Sequence, residues 1–525
     1  MESGKKHMEH SGLYFGAAYY IDGVSPEQVR EDLDLMAEAG MNLICLTGKN
    51  WDAVEVSSLA PLLSECREQR ITQVLALPEG DRELLEALVR LPVDAFQVDS
   101  RGENASWLLE KLHSLGKKSL VMTQLTSAAD PFDVDSKGTL ACGIFHPAGL
   151  KNTGSELNFQ ADLARGAAKD NFFVLETQCQ GALGQLPFPG QLRLSAFHHL
   201  ASGAVCVSYW PWHSDCAPGS DWQGIIGYDG RPGRAYRELC QTGKEIARLE
   251  SHLAGLRKRS RIAVMVSPRS ARLMPRLGSK TYEDCLKWVC DSFYRLNIEV
   301  ELIPDTCRDF SSFSLLVTPC LYSAGEELVA AIRDYVAQGG CLLSTFRSFF
   351  ADEQGALRRD IRPWGMTDVF SMTYSEFTIP EEVCLPEYVA EVSDYMELLQ
   401  LDEAMGLAIY DSPAWRGVPA ACCSRFGKGQ AAYFGCYSEE GFEPILLRLL
   451  AMWHIPVPET AWPVVQKRGT NRDGKNLTFL LHYSPASRVI PSPATGTELF
   501  SGKHLDEGEP MELKGWDVKI LEGDL

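Results

Sequence analysis

The chain has 525 residues, 45% of them hydrophobic and 23% charged, a mix that excludes fibrous, collagen-like and largely disordered proteins and predicts two or three globular domains. Fifty Lys and Arg against seventy Asp and Glu leave a net charge of −20. So acidic a chain is a poor ligand for nucleic acid and is repelled by anionic membranes, which predicts a soluble protein acting on neutral or cationic small molecules.

The first stretch, MESGKKHMEHSG, is polar, and no run of 18 apolar residues follows it, so neither a signal peptide nor a membrane span is expected. Sixteen cysteines are scattered from Cys45 to Cys436 without a CxxC pair. In a chain without an export signal they read as reduced thiols serving as small apolar residues, and the location expected is cytoplasmic. No metal-ligand spacing is present, so no metal and no cofactor are expected.

From Leu13 to about Leu256, short apolar runs alternate with longer amphipathic stretches. The runs are LYFGAAYY (13–20), MNLICL (41–46), ITQVLAL (71–77), VDAFQVD (93–99), KSLVMTQL (118–125), TLACGIF (139–145), NFFVLET (171–177) and AVCVSYW (204–210). Most lack strict alternation, as strands buried on both faces do. The clearest helix is SPEQVREDLDLMAEAG: Ser25 caps it, Pro26 suits its first turn, Val29, Leu33 and Met36 share a face, and Gly40 ends it. Eight even βα units predict an α/β fold of the (β/α)8 barrel type, with a doubly wound open sheet as the alternative. After the charged seam GLRKRSR (255–261) the pattern restarts as a second α/β unit with a parallel sheet, and from about residue 462 short strands and turns read as a small antiparallel β-sandwich. The expected boundaries are a flexible N-terminus 1–12, a barrel 13–258, a second α/β domain 259–457 and a sandwich 458–525.

In such a barrel the chemistry gathers where the strands end. Those ends carry Tyr19, Tyr20 and Asp22; Trp51 and Glu55; Glu79 and Asp81; Asp99, Ser100 and Arg101; Thr123 and Gln124; His146; Glu176 and Gln178; and Trp210, Trp212 and His213. Aromatic faces stack on sugar rings and carboxylates accept hydroxyls or move protons, so the rim suggests a carbohydrate site. Glu176 follows four apolar residues, FFVL, and a carboxylate there needs a reason to be present. It reads as a nucleophile for an anomeric carbon, or else as a structural ion-pair acceptor.

Several segments in order then resemble one family. These are the opening YYIDGVSPEQVREDLDLMAEAGMNLICL, NWDAVE (50–55), VLETQ with Glu176, PFPGQLRLSAFHHLASGA (187–204), YWPWHS (209–214) and GSDWQGIIGYDGRPGRAYRE (219–238). Together they resemble glycoside hydrolase family 42, the bacterial β-galactosidases of clan A. The resemblance implies a TIM barrel, a glutamine-amidotransferase-like domain that builds a trimer, and the terminal sandwich. It implies a retaining β-glycosidase acting on a carbohydrate or glycoside, with Glu176 as nucleophile. By the same resemblance, substrate contacts fall to Trp51, Glu55, Asp99, His146, Gln178, Trp212, His213, Asp221, Trp222 and Gln223. Phe349 and Phe350 lie in the segment that, in relatives, reaches a neighbouring subunit's active site.

The chain also departs from the family. The general acid/base is the Glu of a Trp-Gln-x-Asp-Asn-Glu motif, and here the strand reads FQVDSR, with Arg101 at the Glu position. Arg stays protonated up to a pKa above about 12 and cannot serve as a general acid. Glu103 is a possible substitute if its loop folds back; Asp99 is expected to point away by strand alternation; His146 is a further candidate or a simple sugar-hydroxyl donor. His213 replaces an Arg, Asp221 and Gln223 replace a Glu-x-x-His pair, and the long insert between strands three and five, with the family's galactose-contacting Arg and the zinc-binding cysteines of some members, is missing. Three readings follow: a β-glycosidase with an altered acid/base, a sugar-binding pseudoenzyme, and a glycosidase whose arginine favours anionic glycosides. In the second domain, Cys320 in VTPCLY lacks the glycine-flanked elbow of an amidotransferase nucleophile and reads as a small apolar residue.

Overall fold

The computed structural model describes residues 12–523 apart from 52–55, 124, 126–129, 134–137, 147–150, 180–185, 215–222 and 277. The chain forms two compact units. One joins the N-terminal half to Trp462–Leu525; the other holds Arg259–Ala461.

In the first unit eight parallel strands pair in sequence order: β1 (Tyr14–Tyr20), β2 (Leu43–Thr47), β3 (Thr72–Ala76), β4 (Ala95–Asp99), β5 (Ser119–Met122), β6 (Thr139–Gly143), β7 (Phe172–Gln178) and β8 (Ala204–Trp210). Tyr14 on β1 pairs with Cys206 on β8, which closes the barrel and excludes the open sheet. Ala18, Leu43, Cys45, Val74, Ala95, Leu120, Ala141, Phe173 and Leu175 fill its interior, with Tyr14, Met122 and Trp210 packed against them. Burial holds the Cys45 thiol up at about 12, so it packs as a neutral apolar group.

The helices are α1 (Pro26–Glu38), α2 (Leu59–Glu68), α3 (Arg82–Leu88), α4 (Ala105–Ser114), α5 (Ser155–Ala168), α6 (Gln191–Ala201) and α7 (Arg234–Leu253). The Ser25 hydroxyl accepts from the Gln28 N–H at 3.2 Å and starts α1, and Gly40, at φ +72°, follows its end. The even βα repeat expected from the sequence breaks once: none of the described residues in 123–138 is helical. That segment reads TQLTSAADPFDVDSKG, and its Pro, Gly and Asp favour turns.

Residues from Trp462 onward complete this unit. Strands Val464–Thr470, Asn476–His482, Val518–Gly523, Gly496–Glu498 and His504–Leu505 form a five-stranded sheet, and Arg488–Pro491 pairs with Pro510–Leu513 over a core that includes Val464, Leu480 and Leu513. This module covers α6. Tyr483 hydrogen-bonds buried His198, Phe197 meets Phe500 edge to face at 5.3 Å, and Arg193 reaches Asp517 at 3.3 Å.

The second unit is built on a seven-stranded sheet. Glu301–Pro304, Ile262–Val266, Leu315–Thr318, Cys341–Thr345 and Gly429–Phe434 run parallel, and Pro419–Phe426 and Met405–Ile409 follow antiparallel. Phe349 and Phe350 are buried within this unit, and the Arg347 guanidinium lies 5.0 Å from the Phe350 ring. Both rings are core residues of their own unit.

Helices α1 and α7 approach so closely that glycine is required. A Cβ on Gly243 would sit 2.1 Å from the Ala39 carbonyl oxygen. Gly243→Ala should therefore push α7 off the barrel and cost about 1–3 kcal/mol, read as a lower thermal midpoint of the unfolding transition.

Candidate active site

Between Val174 and Thr177 strand β7 carries one residue more than either neighbour. Against β6 the register runs Cys142↔Val174 and then Gly143↔Glu176; against β8 it runs Val174↔Val207 and then Thr177↔Tyr209. This is a β-bulge at Leu175–Glu176. Leu175 lies in the barrel interior, and in a regular strand Glu176 would then point outward. The bulge turns it inward as well. Its carboxylate lies over Gly143, where a Cβ would come within 3.6 Å of Oε2. Thr177 is sent outward instead, and its hydroxyl meets Nε2 of buried His199 on α6 at 3.3 Å. Burial, and after it the negative charge of Asp99, hold the Glu176 carboxyl above its usual range.

Asp99 ends β4 and faces Glu176. The expectation that alternation points it away is corrected: Ala95 lines the interior, and Asp99, four residues on, shares that face. Asp99 is held by the residue that follows it by two. Its Oδ1 accepts from the Arg101 backbone N–H at 2.9 Å, and its Oδ2 lies 3.4 Å from Arg101 Nη2. Arg101 is therefore folded back onto Asp99, with 63% of its side chain exposed. Glu103 is exposed in the turn before α4. Glu79, after β3, lies nearer the β4 end: a Cβ on Gly102 would come within 3.6 Å of its Oε1. The Asn104 side chain donates to the Gly80 carbonyl at 3.0 Å and ties these two rim loops together.

Beside Glu176 the mouth has an aromatic wall. Trp210, ending β8, donates from Nε1 to the Tyr20 hydroxyl at 3.1 Å and meets Phe145 edge to face at 6.5 Å; Lys49 lies 4.7 Å over the Tyr20 ring. The sequence offered Trp210 and Tyr20 only as rim residues, and gave no signal for Phe145 or Gly143. Gln178 clamps the end of β6: its Oε1 accepts from the His146 N–H at 2.7 Å and its Nε2 donates to the His146 carbonyl at 3.2 Å. Its amide is committed to positioning His146. Trp51 is half-buried and lies flat on Gly48, and its loop is fastened by Asp22, which accepts from the N–H groups of Lys49 and Asn50 at 2.7 and 2.9 Å.

Trp212 and His213 are elsewhere. Trp212 is fully buried, and its Nε1 donates to Asp32 of α1 at 2.9 Å. His213 meets the other Asp32 oxygen at 2.8 Å, and the Tyr19 hydroxyl donates to that oxygen at 2.8 Å. The expected stacking platform at Trp212 is thus corrected to a buried lock around Asp32, between barrel and helix. Gln223 presents its backbone carbonyl to the buried Cys179 thiol at 3.4 Å. Glu55, Asp221 and Trp222 lie outside the described residues. No cluster of three His, Cys, Asp or Glu among the described residues is placed to hold a metal ion.

Two family models match the chain. One described as β-galactosidase matches residues 116–249, and one described as the β-galactosidase trimerisation domain matches residues 266–455. The chain belongs to glycoside hydrolase family 42. β-Galactosidase BgaB of a Geobacillus species is 25% identical over 382 residues, which cover 69% of this chain and 56% of that protein. β-Galactosidase LacZ of Lactobacillus acidophilus is 26% identical over 387 residues, with the same two shares, 69% and 56%. The chain thus spans little more than half the length of these family relatives. Among solved structures, the β-galactosidase of Rahnella sp. R3 superposes with a TM-score of 0.85 at 17% identity, covering 99% of each chain. That of Bacillus circulans gives 0.84 at 15% identity, covering 98% of this chain and 99% of the other. These likenesses establish the barrel fold and the sheet-rich domains that follow it in family 42.

The raised Glu176 pKa makes a stability prediction. The folded chain keeps this proton to higher pH than the unfolded chain, so stability falls as pH rises from the ordinary Glu range to the shifted value and is flat above it. Glu176→Gln removes the buried charge. It should raise the thermal midpoint at pH 8 and change it little at pH 4; an equal gain at both pH values would mean that ionisation of Glu176 is not what destabilises the site.

Proposed function

We propose that the chain is a retaining β-glycosidase of β-galactosidase type, with Glu176 as nucleophile and with Arg101 in the place of the family's acid/base. The observation that carries this reading is Glu176 itself, a carboxylate turned by a bulge into the mouth of an apolar barrel. Its oxygen attacks the anomeric carbon and forms a glycosyl ester while the leaving oxygen departs with the electron pair of its bond; water then hydrolyses the ester and retains the configuration. The wall of Trp210, Tyr20 and Phe145 supports stacking of a sugar ring. Trp51, Asp99 and His146 line the rim for its hydroxyls, with Gln178 holding His146 in place.

The leaving group is where this chain differs from the family motif. Arg101 cannot lend a proton and lies paired with Asp99. General acid assistance contributes about 10²–10⁴-fold. The chain should therefore favour leaving groups that need no proton. The Arg101–Asp99 pair also favours the second reading, a barrel that binds a glycoside and does not turn it over. A carboxylate-bearing sugar that drew Arg101 away from Asp99 would mark the anionic-glycoside reading. The match of residues 266–455 to a trimerisation domain supports assembly of the chain as a trimer. No described helix is long and apolar enough to cross a membrane, and a cytoplasmic location belongs to the same proposal.

The test is hydrolysis of paired aryl β-glycosides, dinitrophenyl against an unactivated phenol. Galactosides come first, then glucosides, arabinopyranosides and uronides. Turnover of the activated member is expected, lost in Glu176→Gln. The unactivated member should be slower than in an acid-assisted enzyme, and Arg101→Glu should speed it by about tenfold or more. The acid limb of the pH profile should lie above the ordinary Glu range, because Glu176 must be ionised to attack. Equal rates on both members would refute an absent acid. Silence across the panel with galactose still bound would leave the non-hydrolytic reading.

A further inference from the structure

The first unit holds a second concavity, of about 560 Å³, lined by the starts of α6 and α7 and by the segment 514–519 of the C-terminal module. None of its lining residues belongs to a barrel strand. Its volume lies in the range of small-molecule sites, about 300–1,000 Å³. Five of its side chains are basic, namely Arg193, Arg234, Arg237, Lys514 and Lys519, and two are acidic, Glu238 and Asp517.

The two acids are already occupied. Glu238 Oε1 accepts from the N–H groups of Leu192 and Arg193 at 2.9 and 3.1 Å, and so caps α6. Asp517 Oδ1 accepts from the Val518 N–H at 2.8 Å and faces Arg193 Nη1 at 3.3 Å, while its Oδ2 accepts from the Lys514 N–H at 3.2 Å. Arg193 is engaged between Glu245 and Asp517, and Lys519 leans on Glu498 at 3.7 Å. Two cations, Arg237 and Lys514, are left without matching charge, and a third, Arg234, has only a long pair with Glu238. Arg234 donates from Nη2 to the Pro187 carbonyl at 2.6 Å, yet its Nη1 is buried, stands 4.0 Å from Glu238 Oε2, and has no hydrogen-bond partner among the described residues. Arg237, three residues along the same helix, and the Lys514 ammonium enter no ion pair among the described residues.

Uncompensated cations gathered in one concavity of a chain of net charge −20 call for an anion. The start of α6 does not supply the attraction, since Glu238 accepts from its Leu192 and Arg193 N–H groups. What remains is a pair of forked guanidinium groups and an ammonium, the set that best matches the several oxygens and double charge of a phosphate. We propose that this cavity binds a phosphorylated small molecule through Arg234, Arg237 and Lys514.

The test is isothermal titration of the full chain with pyrophosphate, ATP and citrate at low and high salt. Pyrophosphate or ATP should bind, more weakly as salt rises, and both more tightly than citrate. The double variant Arg237→Gln/Lys514→Gln, which breaks no ion pair among the described residues, should weaken that binding at least tenfold at an unchanged thermal midpoint. Arg416→Gln, at an exposed position in the other unit, should bind as the native chain does. Absence of binding by either phosphate probe at millimolar concentration in low salt would overturn the proposal. So would a double variant that binds as the native chain does, or citrate binding as tightly as pyrophosphate.

Discussion

A closed parallel barrel permits only two directions for each side chain, into its core or out toward its helices. The interior here is apolar and tightly filled, and a carboxylate that follows an inward Leu175 can enter it only where the strand breaks its own alternation. The extra residue in β7 is that break. Leu175 keeps its place in the core, Glu176 is turned beside it, and Thr177 is handed to His199 on the outside. Gly143, beneath the carboxylate, is held to glycine by the Phe145 ring, which a Cβ there would meet at 2.9 Å. The raised affinity of Glu176 for its proton follows from the same placement, since it stands nearer the core than the water.

Charge around the mouth is arranged asymmetrically. Glu176 has burial and a neighbouring carboxylate against it, whereas Asp99 has a guanidinium beside it. Two carboxylates whose surroundings differ in this way are suited to different tasks. Arg101, two residues beyond Asp99, supplies that counter-charge.

Much of this was legible in the sequence. The eight strands were visible as apolar runs because both their faces are buried, and α1 was legible down to its cap. Glu176 stood out because a charge after FFVL is costly to bury without purpose. The bulge that aims it was not legible, since one added residue leaves no mark in composition. Trp212 misled because its sequence neighbours sit at the rim; the partner that draws it into the interior, Asp32, lies 180 residues away on α1. Asp99 was misjudged by counting alternation without knowing which face of β4 carries Ala95.

The C-terminal module has a consequence for the order of synthesis. Its Tyr483, Phe500 and Asp517 cover α6, yet the whole of Arg259–Ala461 is made between α6 and them. Domains begin to fold as they leave the ribosome, first residues first. The barrel can close early, but the face of α6 carrying His198 and Phe197 stays bare until the last stretch of chain emerges. The second unit, begun later, can be finished earlier. Throughout that interval the nascent barrel is a surface waiting for its own tail, and any release of the chain short of residue 462 leaves that surface to bind something else.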